Sequence, residues 1–97
     1  MDIKEVRYIQ NPDFIYRKIV EEMVLIPIHQ DVADYDCIFS LNLLGSFIWE
    51  QLNIPRTNPE VMQLIIAEFD ADQQTIQADL GDFLRDLLSI GAIKEVH

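Results

Sequence analysis

With 97 residues, 49% of them hydrophobic, the chain has the apolar surface for one small core and no more. It carries 17 Asp and Glu against 7 Lys and Arg, a formal net charge of −10, and such a surface repels nucleic-acid phosphates and favours basic partners. No apolar run approaches the ~20 residues of a membrane span, the start Met1-Asp2-Ile3-Lys4-Glu5 lacks the layout of a signal peptide, and Cys37 has no second cysteine for a disulfide, so a cytoplasmic protein is expected.

Residues 1–13 are mixed in character and end at the turn signal Asn11-Pro12-Asp13, which predicts a loose N-terminal arm before a domain spanning 14–97. Phe14-Ile15-Tyr16-Arg17-Lys18-Ile19-Val20 and Met23-Val24-Leu25-Ile26-Pro27-Ile28 are rich in β-branched and aromatic residues and read as a β-hairpin. Pro27 cannot donate to a ladder and belongs at a strand's edge or end. After the aspartate-rich connection from His29 to Asp36, Cys37-Ile38-Phe39-Ser40-Leu41 reads as a short third strand. Asn42 is an N-cap candidate for a helix starting at Leu43, and Gly45 in its first turn implies that another backbone packs closely there. Thr57-Asn58-Pro59-Glu60 combines a capping-box spacing with proline at the first turn and opens a second helix ending near Phe69, with Val61, Ile65 and Phe69 on its buried stripe. Asp72 caps a third helix, whose apolar positions Ile76, Leu80, Phe83, Leu87 and Ile90 stop at Gly91. Ala92–Val96 is left as either a short strand or a frayed tail.

Strands followed by three helices, the last two closely linked, give an α+β fold of winged helix-turn-helix-like kind: a three-stranded antiparallel sheet followed by three helices. Catalytic and metal chemistry lack their residues. Cys37 and His29 have no third group to orient them, one cysteine and two distant histidines cannot close a zinc site, and the Asp31, Asp34 and Asp36 cluster reads as a solvated loop. The Asp70-x-Asp72-x-Gln74 run departs from a calcium loop, with Thr75 at its glycine position and Gly81 at its glutamate position. No enzyme and no cofactor are expected. A DNA-reading third helix would need a basic face, yet its polar positions are Asp79, Asp82, Arg85 and Asp86, which excludes nucleic acid as the partner.

The spacing Leu41-Asn42-x-x-Gly45-x-x-Ile48-Trp49-x-x-Leu52, followed by two more amphipathic helices, resembles the PqqD-like family, small recognition elements of ribosomal peptide-modification pathways such as pyrroloquinoline-quinone biosynthesis. The resemblance runs from the Arg17 strand to Gly91. One departure is the segment after the first helix, Asn53-Ile54-Pro55-Arg56, where the family commonly has an Asp-Gly-type turn.

The resemblance implies the same winged fold and a leader peptide docked between the third strand and the third helix. On this chain the strand is Cys37, Ile38, Phe39, Ser40 and Leu41, and the helix offers Asp79, Leu80, Asp82, Phe83, Leu84, Asp86 and Leu87. The acidic face of that helix, read from this sequence itself, predicts that basic leader residues meet the aspartates. Asn42, Gly45 and Trp49 then belong to the scaffold. The expected partners are a precursor peptide and a modifying enzyme such as a radical S-adenosylmethionine maturase, with no membrane contact. The alternative is a structural or oligomerisation subunit, a homodimer paired through its exposed strand, which like charges at Asp34 and Asp36 would oppose.

Overall fold

The structure, a computed structural model, describes residues 5–19, 22–28, 39–70 and 72–97. Among them the chain order is β1 (Arg7–Gln10), β2 (Phe14–Ile19), β3 (Glu22–Pro27), β4 (Phe39–Leu41), α1 (Leu43–Gln51), β5 (Arg56–Thr57), α2 (Asn58–Glu68), α3 (Gln73–Ile90) and β6 (Ile93–Val96). The expected hairpin is β2–β3, paired from Phe14↔Pro27 to Ile19↔Glu22, and Pro27 is the last residue of its strand. β4 pairs antiparallel with β3 through Met23↔Leu41, Val24↔Ser40 and Leu25↔Phe39, giving the sheet order β2-β3-β4. The winged helix-turn-helix-like α+β architecture is therefore present, with three helices after this sheet.

A second antiparallel sheet, β5-β1-β6, corrects the expectation of a loose N-terminal arm. Arg7–Gln10 pairs with Val96–Ile93 on one side and with Arg56–Thr57 on the other. Gln10 ties this strand to α1, its N–H donating to the Leu52 carbonyl (2.9 Å) and its Nε2 to the Trp49 carbonyl (2.6 Å). Asn11 does the same for the start of β6, donating to the carbonyls of Ala92 (2.8 Å, backbone) and Gly91 (2.8 Å, side chain). These partners lie 39 or more residues away in sequence, so no local pattern in Arg7-Tyr8-Ile9-Gln10 announces the strand.

The helix ends follow from their caps. Asn42 Oδ1 accepts from the Gly45 N–H at 2.7 Å. At the head of α2, Thr57 and Glu60 satisfy each other's backbone N–H groups, at 2.8 Å into the Glu60 carboxylate and 3.2 Å into the Thr57 hydroxyl. Asp72 caps α3 through Thr75, and Gly91 ends it in the left-handed region at φ 81°, where Ala92 N–H reaches the Leu87 carbonyl. One apolar cluster joins sheet and helices, with Leu25 and Leu41 of the sheet, Ile48 and Trp49 of α1 and Leu52 just past its end, Val61 and Ile65 of α2, Ile76, Leu80, Leu84 and Leu87 of α3, and Ile93 of β6 among its members. Ile90, expected among the apolar positions of α3, is exposed at the end of that helix.

Candidate peptide-binding site

β4 is an edge strand: among the described residues β3 pairs with it on one side and nothing pairs with it on the other. Its register says which groups face outward. Ile28 N–H donates to the Asp13 carbonyl across the mouth of the hairpin (2.7 Å), so alternate residues of β3 counted back from Ile28, namely Ile26, Val24 and Glu22, aim their main chain at β2. Pro27, Leu25 and Met23 then aim theirs toward β4. Leu25↔Phe39 and Met23↔Leu41 are accordingly the bonded pairs, and Ser40 between them turns its N–H and C=O to the open edge.

Beside that edge runs α3. The Phe39 ring meets the Phe83 ring at 6.4 Å between centroids, tilted by 55°, and both are half-buried. Past the Asn42 end of β4 the gap between α1 and α3 widens into an open cavity of ≈ 340 Å³, lined by Asn42, Leu44, Gly45, Asp79, Asp82, Phe83 and Asp86. Gly45 sets its shape. A Cβ at this position would lie 3.1 Å from both Cε1 and Cζ of Phe83 and from Asn42 Oδ1, so the missing side chain lets the Phe83 ring press against the first turn of α1. The close neighbour that the sequence implied is therefore an aromatic ring, not a backbone. A smaller cavity of ≈ 190 Å³ between the starts of α2 and α3, lined by Asn58, Pro59, Met62, Gln63, Gln73 and Gln77, has no charged residue among the described ones.

Of the residues expected at the site, Asp79, Asp82, Phe83 and Asp86 come together in the one cavity, and Phe39 and Ser40 lie along the edge leading to it. Leu41, Leu80, Leu84 and Leu87 do not face it: they are 0–5% exposed and belong to the core, because the stripe that holds α3 to the rest of the molecule takes its most apolar positions. Cys37 and Ile38 fall outside the described residues, as do His29, Asp31, Asp34 and Asp36. Asn42 and Gly45, expected as scaffold alone, line the cavity, and Leu44 is a lining residue that the spacing gave no reason to select. Arg85 bonds Asp82 at 3.2 Å, with both side chains more than two-thirds exposed, so solvent screening leaves that pair weak.

The family model of PqqD, coenzyme PQQ synthesis protein D, matches residues 22–93. The chain belongs to the PqqD family. The PqqD match runs from β3 to the first residue of β6 and so contains β4, α1 and α3 whole, with every residue that lines the larger cavity. No curated protein sequence matches the chain significantly. Among solved structures, one described as "TbiB1 in Complex with the TbiA(beta) Leader Peptide" is similar in fold and sequence, with a TM-score of 0.70 and 28% identity, covering 89% of this chain and 94% of that one. As in the sequence, no helix among the described residues is long and apolar enough to cross a membrane.

Proposed function

We propose that this PqqD-family chain is a non-catalytic module that captures the leader of a ribosomally synthesised precursor peptide and presents it to a modifying enzyme. The observation that carries the proposal is the likeness, over nine-tenths of its length, to a protein solved with a leader peptide. The geometry supplies a route. An extended peptide can add to the open edge of β4 through the Ser40 main chain, with alternate side chains directed at Phe39, Phe83 and the cavity at the Asn42 end. The chain needs no cofactor for this task. Its benefit to a maturase, of the radical S-adenosylmethionine type or another, is a raised local concentration of substrate, which operates even where each contact is weak.

The same open edge would also accept a second copy of the chain, so the experiment has to separate the two occupants. Isotope-labelled protein is titrated with a synthetic leader from the precursor gene next to its own, and its mass in solution is followed in parallel. The expected result is a one-to-one complex with amide shifts concentrated on Phe39–Leu41 and Asp79–Asp86. A concentration-dependent dimer that takes up no leader would replace the peptide-binding function with the structural one.

A further inference from the structure

The cavity at the Asn42 end of β4 has an aromatic floor and a one-signed rim. Phe83 and Leu44 supply apolar surface, and the ring lies where it does because Gly45 has no side chain. Asp79, Asp82 and Asp86 follow the three-and-four spacing that puts residues on one face of a helix, and all three are exposed. Among the described residues no Lys, Arg or His lines the cavity. Among the described residues two positive features lie close by, and both fall short of balancing the aspartates. The start of α1 carries roughly half an elementary charge, and one of its donors, the Gly45 N–H, is already taken by Asn42 Oδ1. Arg85 is held, among the described residues, by the solvent-exposed contact to Asp82. Three carboxylates thus outweigh what opposes them among the described residues, so an anionic group would be repelled there and a cation favoured over a neutral donor.

We infer that this cavity takes one cationic side chain, Arg or Lys, from the bound leader, with its methylenes or guanidinium plane on the Phe83 ring and its charged head among Asp79, Asp82 and Asp86. The inference rests on the peptide-binding function proposed above and adds the chemistry of the peptide. A long aliphatic stem ending in a cation matches an apolar floor with an acidic rim, and a cation over an aromatic face is attracted by the ring's own charge distribution. The added strand also fixes spacing. Its side chains reach the α3 side at every second residue, roughly 7 Å apart, so an apolar side chain at the Phe39–Phe83 edge and a cation in the cavity belong to one stretch with a single residue between them.

The test is a selection of random peptides displayed on phage, run in parallel against the wild-type protein and the Asp79→Asn/Asp82→Asn/Asp86→Asn variant, whose melting temperature is checked first. Wild-type protein is expected to enrich Arg or Lys about tenfold at one position, two residues from an apolar one, and the variant to bind the selected peptides about tenfold more weakly. Arg85→Gln, which removes the competing guanidinium, is expected to tighten the same peptides by about two- to threefold. If both proteins select the same apolar peptides without a fixed basic residue, the cavity inference is wrong while peptide binding stands. Basic residues enriched at no fixed position would equally overturn it, since they report only attraction to an acidic chain. If neither protein selects peptides at all, the proposed function itself fails and takes the cavity with it.

Discussion

Gly45 and Trp49 stand one turn apart on α1 and do different work, the glycine shaping the outer cavity and the tryptophan, 3% exposed, filling the core. Trp49→Ala is expected to cost ~3–5 kcal/mol through the void it leaves, read as a lowered denaturation midpoint; an unchanged midpoint with lost leader binding would move Trp49 from core to ligand site. Gly45→Leu has to displace the Phe83 ring and should cost ~1–3 kcal/mol. Gly45→Ala separates shape from stability: alanine favours the helix by ~1 kcal/mol, which offsets the 3.1 Å contact, so stability stays near wild type while leader affinity falls as the ring shifts. Glu60 gives a prediction in pH. The Thr57 N–H donated to its carboxylate, and the Thr57 hydroxyl after it, hold the Glu60 pKa below the ordinary glutamate range. Its folded-state pKa is the lower one, so the stabilisation is complete above the ordinary value and is lost as pH falls through the lowered one. The melting-temperature gap between wild type and Glu60→Gln should therefore be widest near neutrality and close between those two values; a gap constant down to low pH would mean that the carboxylate's charge is not what the capping box uses.

Among the elements, β1 is where structure and sequence part most. Deleting everything before Asn11 removes the Tyr8 contact with the core, the ladder to β6 and both Gln10 bonds to the end of α1. The expected loss is about 2–4 kcal/mol, from one half-buried aromatic and a few net hydrogen bonds, measurable by urea denaturation; a loose arm would leave the midpoint unmoved. The helices were legible because each carries its own boundary chemistry: Asn42, the Thr57–Glu60 pair, Asp72 and Gly91 act on backbone groups within four residues of themselves. The second sheet was not legible, because Arg7, Thr57 and Val96 are neighbours only after the whole chain has closed. The candidate site divides along the same line. The charged face of α3 can be read from a helical repeat, so the grouping of Asp79, Asp82 and Asp86 on one side was legible. The apolar positions of α3 look alike in sequence, and only packing shows that Leu80, Leu84 and Leu87 are core while Phe83 reaches the cavity. Gly45 announced a close contact without saying that Phe83 makes it.

At the scale of the whole molecule, two small sheets brace three helices, and among the described residues the β4 edge of the β2-β3-β4 sheet, the one nearer α3, is unpaired, as is the β2 edge. An exposed edge is a hazard in an acidic domain of this size unless something is meant to occupy it. The excess of carboxylates helps keep copies apart, and on α3 the same charge lies beside the edge where a basic peptide would run. Leader affinity should accordingly weaken as salt rises, with most of the slope lost in Asp82→Lys. The most direct test of peptide capture is amide hydrogen exchange at Ser40, whose N–H faces the open edge, measured with and without a saturating leader. Strand addition slows Ser40 exchange at least about tenfold, since a groove-bound peptide accepts that hydrogen bond. Unchanged Ser40 exchange at saturation, with new protection on α2 instead, would contradict docking at β4.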